Sequence, residues 1–557
     1  MNSFFKRTIR VSLFAVLVVV AFSASAQKEW NEGELESVEI DIVKERQISV
    51  PKANRNFEKI PPRPSEPIKT SVQYDFRPFS FQTAQINPTI RPLKIKQEDP
   101  SKVYGGYVSA GYGNYASPYL EGFINTKRNK NKLVGAHAFL ASSDKGPVDN
   151  KNSGSGSSGV SVYGRSFGEN ITVSGDASFE NRATHFYGYA PGTIVDGKDI
   201  KQAYNNFKLS ASIGNAKNAA FAYTLGGGLS YLMDKYDAKE SQADVNFNSS
   251  YEVNDESSIA IKAGYTFLNR QDALITSKAR SLFTVNPSYV FFPVEDLKVT
   301  AGVVAAVEND SIDDRNVHAY PDIHVSYPLS PSVDFVAALT GGIERVSLQS
   351  LSRENLWIAP NISIFHTNKA YDFQVALRSK VANKVAVDGG FSFANLKNWY
   401  FFVNQLGDPS KFNVEYDKAT LRTNFFASIG FVQTESAKVL LRGDVFGYKT
   451  DEQEEAWHRP TYKVTGDVSF NIYKKILLGV NVIAQGGMKA KQYTTAKDYT
   501  VVSLDPAFDL NARGEYILSD SFSFFVQGNN LTSNKYPLFM NYPVRGIQVL
   551  AGLTWRF

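Results

Sequence analysis

From Gly546 to Phe557 the chain reads GIQVLAGLTWRF. Ile547, Val549, Ala551, Leu553, Trp555 and Phe557 are apolar, and Gly546, Gln548, Gly552, Thr554 and Arg556 are small or polar, with Leu550 the one exception. Strict period two predicts a strand with one apolar face. A terminal Phe with Trp two residues before it suits a lipid-facing surface that ends in an interfacial girdle. The segment alone also fits an edge strand of a soluble sandwich.

The same split recurs upstream. Ile171, Val173, Ala177 and Phe179 alternate with Thr172, Ser174, Asp176, Ser178 and Glu180. Val245, Phe247, Tyr251 and Val253 alternate with Asp244, Asn246, Asn248, Ser250 and Glu252. Tyr462, Val464, Val468, Phe470 and Ile472 alternate with Lys463, Thr465, Asp467, Ser469 and Asn471. Each predicts a strand with one apolar and one polar face. In a sandwich the apolar faces pack on each other, whereas in a membrane barrel the polar faces line the lumen. Alternation does not separate the two.

Connection lengths do, because membrane barrels have short turns at one end and longer loops at the other. Ten short polar turns fall at 127–131, 167–170, 215–218, 253–256, 293–296, 328–331, 382–384, 434–437, 473–475 and 518–520. Longer polar or aromatic connections lie between them, at 143–157, 187–203, 348–371, 396–411, 450–457 and 487–500. This alternation predicts an all-β chain, a large antiparallel transmembrane β-barrel of about 22 strands, with 358–365 open as either loop or strand. An even count puts both termini on the periplasmic side.

Composition narrows the class. A soluble chain of 557 residues exceeds the size at which one core stops growing, but a barrel escapes that limit. A mean hydropathy of −0.26 argues against a bundle of membrane helices. The 29 Tyr, 39 Phe and 39 Gly suit many strands and girdles. With no Cys there is no disulfide, thiolate site or lipidated cysteine. The formal charge of +5 includes Lys6, Arg7 and Arg10, so the balance beyond them is too small to suggest nucleic acid as a partner.

Residues 1–26 have a basic start, an apolar run over 11–22 and Ala24-Ser25-Ala26, the three parts of a secretory signal, with cleavage expected between Ala26 and Gln27. Residues 27–102 are charged and Pro-rich and predict an extended periplasmic leader rather than a folded domain. Its cations Arg55, Lys59, Arg63, Lys69, Arg77 and Arg91 suit insertion in the lumen, opposite inward carboxylates such as Asp176, Glu180, Asp244 and Asp467. The barrel is expected over 103–557.

The segment Val526-Gln527-Gly528-Asn529-Asn530-Leu531-Thr532-Ser533-Asn534-Lys535-Tyr536, with Tyr542-Pro543-Val544-Arg545-Gly546 and the final strand, resembles the carboxy terminus of TonB-dependent receptors. That resemblance implies a 22-strand barrel. Within 36–43, Ser37, Val38, Glu39, Ile40 and Asp41 resemble the short motif with which such receptors engage an energising inner-membrane partner. The resemblance also implies that Leu553, Trp555 and Phe557 form an insertion signal read by the outer-membrane assembly machinery. One departure is large: the family's plug domain does not fit in 44–102.

Candidate chemistry is sparse. His137, His185, His318, His324, His366 and His458 are scattered, and none has metal-site spacing. His318 and His324 share strand parity. No nucleophile and base pair is recognisable, so neither an enzyme nor a cofactor is expected. Trp399-Tyr400-Phe401-Phe402-Val403 predicts a binding surface or an interfacial girdle, and the acidic 451–455 a solvated loop tip. The expected function is a transporter or channel in the outer membrane, surrounded by its lipid. The alternative is a structural subunit that holds a periplasmic or surface protein partner. An unplugged barrel of this size must be occluded, and the leader, infolded loops and a partner are the candidates.

Overall fold

The computed structural model describes residues 103–557 apart from positions 128, 217–219, 276, 311, 313–314, 383 and 434–435. The signal segment and the leader, including Ala26, Gln27 and Ser37 to Asp41, lie outside the described residues.

Twenty-two strands form one antiparallel sheet that closes on itself. The first strand, Gly106–Gly113, pairs with the last, Gln548–Arg556, from Tyr107 against Arg556 to Gly113 against Leu550. Gly552 marks a close approach at this seam: a Cβ there would lie 2.3 Å from the Ala110 carbonyl oxygen and 2.6 Å from the Phe525 ring. Each of the ten short turns falls between two strands that pair with one another.

Strand faces follow the period-two reading. Ile171, Val173, Val245, Tyr251, Val253, Tyr462, Val464 and Phe470 are exposed on the outside of the wall. Leu553, Trp555 and Phe557 are 56%, 47% and 36% exposed on the same face, with Trp555 stacked on Phe522. The inner face carries polar pairs between strands: Ser174 with Ser212 at 2.7 Å, Asn286 with Asp322 at 2.7 Å, and Asn481 with Asp467 at 2.7 Å. A wall that is apolar outside and hydrogen-bonded inside is a transmembrane β-barrel, since closure satisfies every strand edge and lipid replaces a packed core.

Two details depart from the sequence reading. Residues 396–411 are not a loop. Val385–Gln405 and Asp408–Gln433 form one continuous hairpin of 21- and 26-residue strands, turning at Gly407 with φ +85°. About 9–11 residues suffice to span a bilayer, so this hairpin extends past the wall at the loop end. Loop-end connections at 113–117 and 234–239 are as tight as those at the turn end.

Candidate functional site: the closed mouth

Among the described residues the largest apolar core lies at the loop end of the barrel, not in its wall. It joins Phe186 and Tyr187, Tyr204, Leu232 and Ala238, Phe402 and Phe412, and Phe539 and Tyr542 to Val346, Leu348, Leu351, Trp357, Ile358, Ala359, Ile362 and Ile364. Nearly half of it comes from one connection, residues 345–366. We call this segment the lid.

The lid's local structure follows from its residues. Ser347 caps the helix Leu348–Glu354 by accepting from the Ser350 N–H at 3.1 Å, and the Ser350 hydroxyl answers on the Ser347 N–H at 2.9 Å. Leu348 and Leu351, three apart, share the buried face. Asn355 ends the helix, and its side chain accepts from the Trp357 N–H at 2.9 Å. Beyond it, Ile358 makes a single parallel bridge with Phe412, and the Ala359 N–H donates to the Phe412 carbonyl at 2.8 Å. The 358–365 segment is therefore loop, with one bridge.

Inward residues from around the wall hold the lid. On one side Arg182 donates to the Ser352 carbonyl at 3.0 Å, and Arg353 pairs with Glu180 at 2.7 Å. Arg345 pairs with Asp244 at 2.6 Å. The carboxylate of Glu240 accepts from the Leu348 N–H at 2.8 Å and the Gln349 N–H at 3.0 Å, matching the partial positive charge of a helix start. Arg270, paired with Asp272 at 2.6 Å, donates to the Ile362 carbonyl. Across the mouth, Tyr400 and Arg459 both reach Glu354, at 2.6 and 2.7 Å. Two of the four wall carboxylates expected to meet leader cations, Glu180 and Asp244, are thus engaged by lid arginines. Asp176 accepts from Ser210, and Asp467 from Asn481.

Arg280 is the most connected staple. It donates to Asp310 through Nε at 2.8 Å and Nη2 at 2.8 Å, to the Val346 carbonyl at 3.0 Å, and to His366 Nδ1 at 2.6 Å. Asp310 also accepts from the His366 N–H at 2.8 Å. Because Nδ1 of His366 accepts from both Arg280 and the Val346 N–H, the ring is neutral with its proton on Nε2. Burial, then the charge of Arg280, lower its pKa to about 4. Burial would raise the Asp310 carboxyl, but hydrogen bonds and charge from Arg280 outweigh it and hold the group below the usual range.

A second histidine closes the opposite side in the other tautomer. His458 Nδ1 donates to the Phe402 carbonyl at 2.9 Å and Nε2 accepts from the Met540 N–H at 3.2 Å, and burial lowers its pKa to about 4. Trp357, 7% exposed, stacks on Tyr542 at 4.0 Å, meets Tyr187 edge-on at 5.6 Å, and donates Nε1–H to the His185 carbonyl at 3.0 Å.

These histidines give the closed mouth a pH dependence. Their pKa is depressed on folding, so their contribution is complete above the ordinary value of 6.5 and declines as pH falls toward about 4. Asp310 acts in the same direction below its own ordinary value. The drop from 6.5 to about 4 is worth roughly 3 kcal/mol per histidine as an upper figure. Lid protection in amide exchange is expected to be constant from pH 8 to 7 and to fall from 6.5 to 4.5, after correction for intrinsic exchange. Equal protection at pH 7 and 4.5 would contradict this.

The other candidate residues fall as follows. Trp399 to Val403 are neither girdle nor free surface. Trp399, Phe401 and Val403 pack with Trp457 in a second core, and Phe402 faces Phe412 and Phe539 in the first. The acidic 451–455 segment carries an ordered backbone: the N–H groups of Asp451, Glu452 and Gln453 donate to the buried carboxylate of Asp417. His318 pairs with Glu308 and His324 with Asp322, so the two do not act together. Among the described residues no three or more His, Cys, Asp or Glu gather as a metal site.

The carboxy-terminal motif builds the corner before the last strand. Asn530, in the left-handed region at φ +47°, donates to the Arg545 carbonyl at 2.7 Å and the Asn534 carbonyl at 2.9 Å. Tyr536 donates to Asp509 at 2.9 Å, and Tyr542 reaches the Ser410 carbonyl inside the lid core.

No protein-family model and no curated protein matches the chain. Solved structures do. The FrpB iron transporter from Neisseria meningitidis superposes with TM-score 0.62 at 9% identity, over 82% of this chain and 82% of that one. The ferric enterobactin receptor PfeA from Pseudomonas aeruginosa gives TM-score 0.60 at 11% identity, over 81% and 80%. The ferric-catecholate import receptor Fiu from E. coli K12 gives 0.61 at 9%, over 82% and 82%. The chain has the fold of the TonB-dependent receptor barrels. At these identities the likeness is one of fold. In this barrel the lid, one of the chain's own connections, packs across the loop end.

Proposed function

We propose that this protein is an outer-membrane receptor or transporter barrel whose outer mouth is closed by its own 345–366 lid. The observation that carries the reading is a 22-strand barrel with a hydrogen-bonded polar lumen, stapled shut at one end by a loop that crosses it from the Glu180 side to the Tyr400 side. In this reading the loop end faces outward, both termini are periplasmic, and cleavage between Ala26 and Gln27 removes the signal segment and leaves the leader at the start of the mature chain. Ser37 to Asp41 contact an energising inner-membrane partner, while the leader's cations approach the lumen from the turn end. Leu553, Trp555 and Phe557 are read by the assembly machinery.

A second reading draws on the same lid. A dry aromatic cap held by buried ion pairs also suits a permanently sealed barrel that anchors a protein partner. Passage of solute through the intact protein separates the two.

Membrane fractionation tests the location. The protein is expected in the outer membrane, migrating at an altered apparent mass when unheated. Recovery as a soluble periplasmic protein would sink the proposal.

A further inference from the structure

The loop-end connection 487–506 folds on itself. Lys489–Tyr493 and Tyr499–Ser503 pair as a two-stranded antiparallel sheet separate from the barrel wall, in register from Lys489 against Ser503 to Tyr493 against Tyr499. Its first strand is fastened to the protein. Ala490 is fully buried, the Lys489 carbonyl accepts from the His458 N–H at 2.8 Å, and Glu415 of the long hairpin accepts from Lys491 at 2.9 Å and from the Tyr493 hydroxyl. Tyr499 in turn donates to Glu454 at 3.0 Å, which fixes the second strand in place.

That second strand has an open edge. Hydrogen bonds from the Leu504 N–H to the Met488 carbonyl at 3.0 Å and from the Thr494 N–H to the Asp498 carbonyl at 2.9 Å bracket the ladder, so alternation turns the N–H and C=O of Thr500 and Val502 toward the first strand. Those of Tyr499, Val501 and Ser503 point away from it, and among the described residues none of them has a hydrogen-bond partner. Val501 is 39% exposed, and Thr500 and Ser503 are exposed beside it. Natural edges are blunted by Pro, charged side chains or a bulge, and Tyr499–Ser503 contains none of these.

The edge is complementary to itself. Laid antiparallel about Val501, two copies set Val501 opposite Val501, Tyr499 opposite Ser503 and Thr500 opposite Val502, and every free N–H and C=O of Tyr499, Val501 and Ser503 finds a partner. Continuing the count sets Lys497 of each copy opposite Asp505 of the other. Both side chains are exposed, and unlike Lys489 and Lys491, which pair with Glu455 and Glu415, neither has an ion-pair partner among the described residues. A slip of two residues leaves Tyr499 or Ser503 unmatched and separates these charges.

We propose that the Tyr499–Ser503 edge pairs with the same edge of a second copy of this chain, giving a two-fold dimer joined at the loop end. The association stands independently of whether the barrel passes solute.

The test is light scattering of the full-length protein in detergent, where the mass is expected to rise from one copy to two with concentration. Val501→Pro removes an outward N–H and leaves the ladder to Lys489–Tyr493 intact. It is expected to raise the dissociation constant at least tenfold while the protein stays heat-modifiable. Lys497→Asp and Asp505→Lys are each expected to weaken the dimer, and an equimolar mixture of the two to restore it. With no native cysteine, oxidative cross-linking reads the register. Val501→Cys is expected to give a disulfide-linked dimer, whereas Ser503→Cys stays unlinked until mixed with Tyr499→Cys. Three outcomes overturn the proposal: a single copy at every concentration, folded Val501→Pro that dimerises like the parent, or Ser503→Cys that links to itself as fast as Val501→Cys.

Discussion

Replacing Arg280 with Met is expected to open the lid without unfolding the barrel. The substitution removes the partner of Asp310, whose side chain is 3% exposed, and withdraws the donors to His366 and the Val346 carbonyl. Leaving a buried charge unpaired costs about 3–5 kcal/mol. The loss falls locally, because the wall's hydrogen-bond ladders do not pass through the lid. With no native cysteine, the chain is a clean background for a reporter. Ser352 is fully buried against Arg182, and Ser352→Cys changes only one atom there. Maleimide should label this cysteine slowly in the parent and at least tenfold faster with Arg280→Met, while heat-modifiable migration is retained. Trp357→Ala, which empties the stack against Tyr542, should act in the same direction by roughly 3–5 kcal/mol. Equal labelling rates in parent and variants would mean that the lid is held by something other than these staples.

The second large effect concerns assembly. Phe557→Asp puts a charge on the lipid face at the point where the last strand meets the first. There the Phe557 carbonyl accepts from Gly105 and Gly106 at 2.7 and 3.1 Å, and its N–H donates to Gly106 at 3.0 Å. The neighbouring Trp555 packs on Phe557 at 4.8 Å, so the charge also disturbs the aromatic pair. Folded, heat-modifiable protein in the membrane fraction should fall at least tenfold, whereas Phe557→Tyr should leave it near the parent level. Normal amounts of the folded Asp variant would remove Phe557 from any role in insertion.

The wall was legible because each strand has one medium on each face. Ile171 to Glu180 and Tyr462 to Ile472 alternate cleanly, and ten turn signals counted the strands. The long hairpin hid for the opposite reason. Trp399, Phe401 and Val403 enter one core while Phe402 enters another, so both faces are apolar and the period vanishes into a continuous run. The lid helix, seven residues long, is too short to show a 3.6-residue period, though the Ser347 and Ser350 caps were a readable start signal. The Arg280, Asp310 and His366 staple joins residues 30 and 86 positions apart in sequence, through contacts that only the closed wall creates. In the carboxy-terminal motif, Asn530, Tyr536 and Tyr542 were visible as a resemblance before their work was. That work is to fix Arg545 and to deliver an aromatic ring to the lid.

Planar-bilayer current tests the central claim most directly. The intact protein is compared with a variant in which residues 346–365 are replaced by a two-residue turn, and with one lacking residues 44–100 of the leader. Closure by the lid predicts little current for the intact protein and large, steady steps for the lid-deleted variant, with matching sensitivity of cells to large antibiotics. A lid-deleted barrel that inserts normally and conducts no more than the intact protein would contradict the account. Should the leader deletion alone open the pore, closure would belong to the leader.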